Sequence, residues 1–486
     1  VSDRRRLVSK DPNVGTISTI RDYETGANFQ SVRDTFVVTP APRKTTWAQS
    51  QRRYGGSRAT GETHDNATIS WKILVNGATA DAAMANVELL LGDLETLAVL
   101  RSDLFIEWRP DGETASTYYE VRGPATYSTE YKWVQFFGAR SLEVTVSIPV
   151  APLAHLTAFN IAIGSTTIPS TIALGSAVTG DAPALADISL TASGGTSPPI
   201  WALLGWTKRP GTPLASSVAP WGIIEAETAA SPTTWAVTSN VSYRGSSGLQ
   251  ATISGAGTAT ALFAVDPSVM QSDEFTPGEV QIEVWARMLL SSTTVSPRMI
   301  VSLEPFTGTT FGASQYSAEF GSTGRLITVP TSLCFRFVKL GTLSMPVDAA
   351  LPLKWNLKVA ASWAAGSAGT FGLDYLVLVP ARQRALSPSG KPNDASYPDF
   401  IASTAATTKT IRADLSGRVA SGAGNPGRDA GLGGSLIELP PGNVDLIIKL
   451  ASLVADDPTV DATSEQISHT GVTGNVRVTP RVWLAG

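Results

Sequence analysis

Ile69-Ser70-Trp71-Lys72-Ile73-Leu74-Val75 is a run of β-branched and aromatic residues closed by the turn pair Asn76-Gly77. The pattern then changes period. From Asp81, a residue type that caps helices, Met84, Val87, Leu90, Leu91, Leu94 and Leu97 recur at three- and four-residue steps, which predicts a helix to about Leu100. Beyond it the period returns to two. Leu104, Ile106 and Trp108 alternate, as do Leu142, Val144, Val146 and Ile148 with Ser141, Glu143, Thr145 and Ser147 between them. An apolar helix stripe needs an apolar surface, and these strands supply one. A β-sandwich with a single packed helix is the simplest object the stretch allows.

Composition extends that reading to the whole chain. The 486 residues suggest several domains, and 43 Gly with 31 Pro at only 16% charged residues suggest many short strands joined by turns. The fold class expected is all-β: a sandwich domain with one helix, a central jelly roll and a small C-terminal β domain. A net charge of −4 gives no electrostatic case for nucleic acid or an anionic membrane. The single cysteine, Cys334, excludes an internal disulfide framework and lies in an apolar run, so it reads as a small core residue. No apolar run is long enough to span a bilayer, and Val1-Ser2-Asp3-Arg4-Arg5-Arg6 lacks a signal-peptide core, so synthesis in a cytoplasm is expected.

Residues 1–60 are polar and carry 11 Lys and Arg against 5 Asp and Glu, with Arg4, Arg5, Arg6, Arg52, Arg53 and Arg58 prominent. Two readings fit an extended basic arm: a solvated segment, or one that docks on an acidic neighbouring subunit. Nucleic acid fits less well, because aromatic residues are not interleaved with the basic ones. Residues 61–160 form the sandwich-plus-helix domain, in which Tyr118, Tyr131 and Trp133 are interface anchors or core. Residues 161–180 read as a linker or connecting strand pair. Residues 181–385 show strand patterns from Ile188 to Val379 with no helical period, as a jelly roll would. Residues 386–400 are a second linker. Residues 401–486 make a final β unit holding a Gly-rich loop, Gly422 to Gly434, and a turn at Pro440-Pro441-Gly442-Asn443.

Catalytic patterns are missing from the sequence. His64, His155 and His469 are the only histidines, each isolated, and no nucleophile elbow, zinc-protease helix or phosphate loop occurs. A non-enzyme is expected. The most specific local signal is Ile224-Glu225-Ala226-Glu227 together with Leu373-Asp374-Tyr375-Leu376. These resemble the opening and late strands of carbohydrate-binding modules of the jelly-roll type. The resemblance implies a structural Ca²⁺ held by Glu225, Glu227 and Asp374, and hard carboxylate oxygens suit that ion. The bland alternative is that these are surface carboxylates, or pair with Arg244 or Lys339. Trp201, Trp206, Trp221 and Trp235 are candidates for a sugar-stacking platform, although core is the commoner fate of such residues.

A wider resemblance runs through Arg53-Tyr54-Gly55-Gly56, Ile69-Ser70-Trp71-Lys72-Ile73, the acidic-capped helix and Val144-Thr145-Val146-Ser147-Ile148-Pro149. It continues in Val338-Lys339-Leu340-Gly341-Thr342-Leu343, Leu439-Pro440-Pro441-Gly442-Asn443 and Pro480-Arg481-Val482-Trp483. Together these resemble the distal tail and minor tail proteins of long-tailed phages, those of actinobacterial siphophages in style. The resemblance implies a structural virion protein at the tail tip whose first domain forms a homo-oligomeric ring, usually a hexamer, between the tail tube protein and the tail hub or tip proteins. Outward β domains would then face host-surface glycans. The alternative is a carbohydrate-binding adhesin acting on host cell-wall glycans.

Overall fold

The computed structural model of the chain describes residues 4–10, 17–24, 26–49, 57–101, 103–128, 140–192, 201–208, 222–265, 279–290, 297–305, 316–317, 324–327, 333–346, 355–364, 368–381, 384–387, 407–411, 419–421, 433–434, 438–451, 464–465 and 467–484. Among the described residues it consists of antiparallel sheets with one α-helical segment and short 3₁₀ turns. Among the described residues no helix is long and apolar enough to cross a membrane. The chain divides into two compact units. The first comprises Val1–Phe159, Thr179–Ala184 and Thr479–Gly486, and the second Asn160–Val178 and Leu185–Val478.

In the first unit the strands are β1 (Arg4–Lys10), β2 (Ile17–Asp22), β3 (Phe29–Ser31), β4 (Val37–Thr39), β5 (Arg43–Gln49), β6 (Ser57–His64), β7 (Ala67–Asn76), β8 (Leu104–Arg109), β9 (Thr117–Val121), β10 (Thr126–Ser128) and β11 (Ser141–His155). The quoted stretch is β7. It pairs antiparallel with β11 in a register that sets Ile69, Trp71 and Ile73 opposite Ile148, Val146 and Val144. All six side chains are buried, while Lys72 and Glu143 on the other face form an exposed ion pair at 2.7 Å. The period of two expected from the sequence is therefore the observed one. Aromatic rings thicken the same core: Tyr23 meets Phe29 edge-on at 5.8 Å, and Phe36 stacks on Trp108 at 4.8 Å.

The helix runs as α1 (Ala80–Leu91), a π-turn at Gly92–Thr96, and α2 (Leu97–Leu100). Its cap is Thr79, whose hydroxyl accepts from the Ala82 N–H at 3.1 Å; Asp81 sits in the first turn, where a carboxylate favours the positive helix end. Gly77 is required by this entry, because a Cβ there would lie 2.2 Å from the Ala83 backbone nitrogen. Asn86 then donates to the Asn76 carbonyl at 2.6 Å. Ala83, Val87, Leu90 and Leu94 face the sheet, but Met84, expected in that stripe, is exposed.

The N-terminal segment departs from the irregular arm expected of it. β1 is inserted between β2 and β8, Leu7 and Val8 enter the core, and Arg5 is buried against Glu24 at 3.0 Å. Arg6 pairs with Asp22 at 2.8 Å. The charges that made the segment look solvated alternate with the apolar residues and are matched by acids on neighbouring strands. Of the expected arm, β5 and β6 form a two-stranded hairpin, Arg43 opposite His64, which joins no third strand among the described residues. Arg52 and the Arg53-Tyr54-Gly55-Gly56 motif lie outside the described residues, as do Tyr131 and Trp133.

The second unit holds a two-sheet antiparallel sandwich. One sheet runs Ala236–Ser239, Ser247–Ser254, Ala368–Pro380, Glu279–Leu290, Cys334–Pro346, with Ile223–Glu225 also on Ala368–Pro380. The other runs Ala230–Thr233, Gly257–Val265, Trp355–Trp363, Arg298–Pro305, Tyr316–Ser317. Phe263, Met288, Val301, Leu357, Phe371 and Leu376 fill the space between them. Cys334 is buried, as its apolar neighbours suggest. A third sheet, Ser170–Ala173, Val444–Ala451, Trp201–Lys208, Arg384–Ser387 and Gly433–Gly434, supplies Leu203 and Ile447 to the outer face of the first, against Trp285, Phe337, Tyr375 and Val379. Gly205 permits this approach, since a Cβ there would lie 2.8 Å from Val379 Cγ1. The strand Ala368–Pro380 is thus covered on both faces, which accounts for its unbroken apolar run Leu376-Val377-Leu378-Val379.

Two expected boundaries take a different form here. Residues 161–180, read as a linker or strand pair, contribute strands Phe159–Ile168 and Ser170–Ala173. Residues 401–486, expected as a separate unit, are shared out: Val444–Ala451 pairs with Trp201–Lys208, and Arg481, Val482 and Trp483 pair with His155, Ala154 and Leu153 of β11. Strand patterns in a sequence name no partner, so a strand that closes a distant sheet reads like a local one. Most of 386–400 and of the Gly422 to Gly434 loop lies outside the described residues.

Candidate functional site

The three carboxylates singled out in the sequence come together at one end of the second unit's sandwich. Ile223–Glu225 pairs with Ala368–Pro380 so that Glu225 stands opposite Tyr375, the residue after Asp374. The strand ends at Glu225. Ala226–Thr228 is a 3₁₀ turn, closed by the Ala229 N–H donating to the Ala226 carbonyl at 3.1 Å and by the Thr228 hydroxyl donating to the Glu225 carbonyl at 2.6 Å. Glu225 is therefore the last residue of the strand, and Glu227 lies in the turn that follows it.

A second loop closes over them. Asn240 to Ser246 is a tight turn in which Tyr243 N–H donates to the Asn240 carbonyl, Ser246 N–H to the Tyr243 carbonyl, and Asn240 N–H to the Ser246 carbonyl, each at 3.0 Å. Gly245 has φ +65°, the left-handed region that glycine tolerates, and its missing Cβ would lie 3.5 Å from Glu227 Oε1. The turn presents Arg244. Its guanidinium Nη1 pairs with Glu225 Oε1, its Nη2 donates to the Pro169 carbonyl at 3.2 Å, and its backbone N–H donates to Asp374 Oδ1 at 2.7 Å. The other Asp374 oxygen takes Arg287 Nη1, in a pair where both side chains are buried. Glu225 Oε2 and Glu227 Oε2 are buried without a hydrogen-bond partner.

Electrostatics follow from that placement. Burial, seconded by the charges of Glu227 and Asp374, outweighs Arg244 and pushes the Glu225 carboxyl up to about 7. Glu227 and Asp374 are also raised, each chiefly by burial. The network continues inward. Arg287 Nη2 donates to the Glu465 carbonyl at 2.7 Å, and the Glu465 carboxylate holds Lys449 Nζ at 2.8 Å with both side chains fully buried. Four carboxylates (Glu225, Glu227, Asp374, Glu465) face three cations (Arg244, Arg287, Lys449). Chemically this is an ionic cross-link between strands and loops, with the Arg forks spanning acceptors that a point charge could not.

Arg287, Lys449 and Glu465 were not singled out by sequence reading. A signal existed for two of them: Arg287 stands in the apolar strand Glu279–Leu290, and Lys449 in Leu446-Ile447-Ile448-Lys449-Leu450. A lone charge inside a buried strand announces a buried partner. Lys339, the other suggested partner for the carboxylates, pairs with Glu283 at 3.0 Å instead. Of the proposed stacking tryptophans, Trp206 and Trp235 are buried, and Trp235 stacks on Phe371 at 5.7 Å. Trp221 and the Trp201 side chain lie outside the described residues.

No protein-family model matches this chain, and no curated protein is found similar to it. Among solved structures it is similar to the Dit (gp 19.1) protein of phage SPP1, described as a paradigm of the hub adsorption apparatus of phages infecting Gram-positive bacteria, at 13% identity over 44% of this chain and 72% of that one, with a TM-score of 0.27. It is also similar to a chain of the phage p2 baseplate in its activated conformation with Sr, at 8% identity over 75% of this chain and 98% of that one, TM-score 0.23. A chain of the baseplate with Ca matches at 8% identity over 78% and 99%, TM-score 0.21. Likenesses this distant leave the role of the chain to its own residues.

Proposed function

We propose that the chain is a structural component of a phage tail tip: a distal tail subunit whose first unit assembles with copies of itself into a closed ring between tail tube and hub. The observation that carries this reading is the helix. It beds on the sheet through Val87, Leu90 and Leu94, yet it leaves Met84, Leu89, Val99 and Leu100 in solvent, Leu100 at 74% exposure. A surface helix serving only its own core would be polar there. The β5–β6 hairpin adds to it, because a two-stranded sheet on its own is marginal in water and gains from a neighbour. The motif resemblance to distal tail proteins names the neighbour as a second copy, and a heterologous contact repeated by rotation closes into a ring. Six copies, a tail-tube partner, an actinobacterial host and outward-facing glycan contacts belong to the same proposal.

Mass photometry of the purified chain, with and without tail-tube protein, tests it. Closed oligomers are expected, and Val99→Asp with Leu100→Asp should return them to monomers while leaving the far-ultraviolet circular dichroism unchanged. Monomers alone at high concentration and with the tube protein present would overturn the reading. The adhesin alternative has its own test, retention of the full chain on host cell-wall glycans; the burial of Trp206 and Trp235 removes two of the residues on which that alternative relied.

A further inference from the structure

The likeness to carbohydrate-binding modules implies a calcium ion among Glu225, Glu227 and Asp374, and the residues as arranged do not fit one. Calcium takes six to eight oxygens at close range. Both Asp374 oxygens are already held by N–H donors, one by the Arg244 backbone and one by Arg287. Glu225 Oε1 is held by the Arg244 guanidinium. Among the described residues no group of three His, Cys, Asp or Glu side chains is gathered closely enough for a metal. What the cluster contains instead is one residue, Arg244, whose guanidinium meets Glu225 at the end of the opening strand and the Pro169 carbonyl while its backbone N–H holds Asp374.

We propose that Arg244 is the built-in counter-ion of this corner, performing the cross-linking that a divalent ion would perform, so that the sandwich is complete without metal. The geometry is specific to this purpose. The Asn240 to Ser246 turn is closed by three backbone hydrogen bonds and by the Ser242 N–H on Asn240 Oδ1 at 2.8 Å, and Arg287 donates to the Ser242 carbonyl at 3.0 Å. The loop thus delivers the guanidinium on a fixed backbone. Truncating it would remove the cation from Glu225 and the donor from the Pro169 carbonyl, while both Asp374 oxygens stay held, one by the residue 244 backbone N–H and one by Arg287. This inference stands whether or not the chain sits in a tail tip.

Thermal unfolding of the full-length wild type and of Arg244→Ala, each in EDTA and in millimolar CaCl₂, tests it, with calcium titration calorimetry on both. The wild type is expected to show the same Tm in EDTA and calcium and no binding heat. Arg244→Ala is expected to melt about 4 °C lower in EDTA, with no recovery in calcium and no binding heat. A wild type that calcium stabilises overturns the proposal in favour of a resident metal; an Arg244→Ala chain that melts with the wild type in EDTA overturns it as well. Should Arg244→Ala fail to fold, Arg244→Lys, which keeps the charge but not the fork, is read in the same way, and a Tm equal to that of the wild type counts against the proposal.

Discussion

Two buried histidines and a buried lysine carry the sharpest residue-scale consequences. His155 packs 5.3 Å from the Phe105 ring; burial first, and then the charges of Lys10, Arg481 and Arg122, push its pKa down to about 3. Burial and Lys449 push His469 down to about 4. Both rings are neutral in the folded chain at pH values where an unfolded chain, with a histidine pKa near 6.5, would protonate them. Their contribution to stability is therefore whole above about pH 6.5 and is lost progressively as pH falls towards 4 and 3. In proton NMR the ring signals of His155 and His469 should not move between pH 8 and pH 5; a midpoint near 6.5 for either would refute its burial. Lys449 and Glu465 are a different case, a fully buried pair. Glu465→Gln should cost about 3–5 kcal/mol in denaturant unfolding, because it strands a buried ammonium, whereas a joint Lys449→Met and Glu465→Leu replacement should cost much less. Sequence reading found the carboxylates at Glu225, Glu227 and Asp374 because their spacing matched a motif. It named Arg244, which does hold Glu225 and Asp374, but missed Arg287, because that donor arrives from a strand 87 residues away.

At the scale of elements, the helix was legible from its period and its cap region, and the buried face of β11 from its alternation, whereas its pairing with β7 was not. What the period could not give was which flank of the stripe faces the sheet. The π-turn at Gly92–Thr96 rotates the residues after it relative to an ideal helix, so Leu97 is only partly buried while Leu94 is buried. Leu90→Ala should destabilise the first unit by about 2–5 kcal/mol through the cavity it leaves. Thr79→Ala should cost about 1 kcal/mol as a lost cap. Gly77→Ala is expected to be worse than the cap mutation, since its new methyl would meet backbone rather than a movable side chain. Urea midpoints for the three variants check that order. The N-terminal strand β1 was not legible: a run of three arginines is a poor advertisement for a strand inserted into a sheet, and only the acids Asp22, Glu24 and Glu107 on neighbouring segments make it one.

At the scale of the molecule, the all-β class with one helix follows from composition and periodicity, but the ownership of the last strand does not. Thr479–Gly486 belongs to the first unit, where the Leu156 N–H donates to the Pro480 carbonyl at 2.8 Å and Val482 and Leu484 pack against the core. A chain shortened to end at Val478 should lower the Tm and speed tryptic cleavage within residues 1–159. The backbone passes between the two units at four places: after Phe159, after Val178, after Ala184 and after Val478. The two units are therefore joined by four covalent connections instead of a single hinge. A protease that severs one of them leaves three, so a single nick does not release either unit, as it would release a domain hung on one linker.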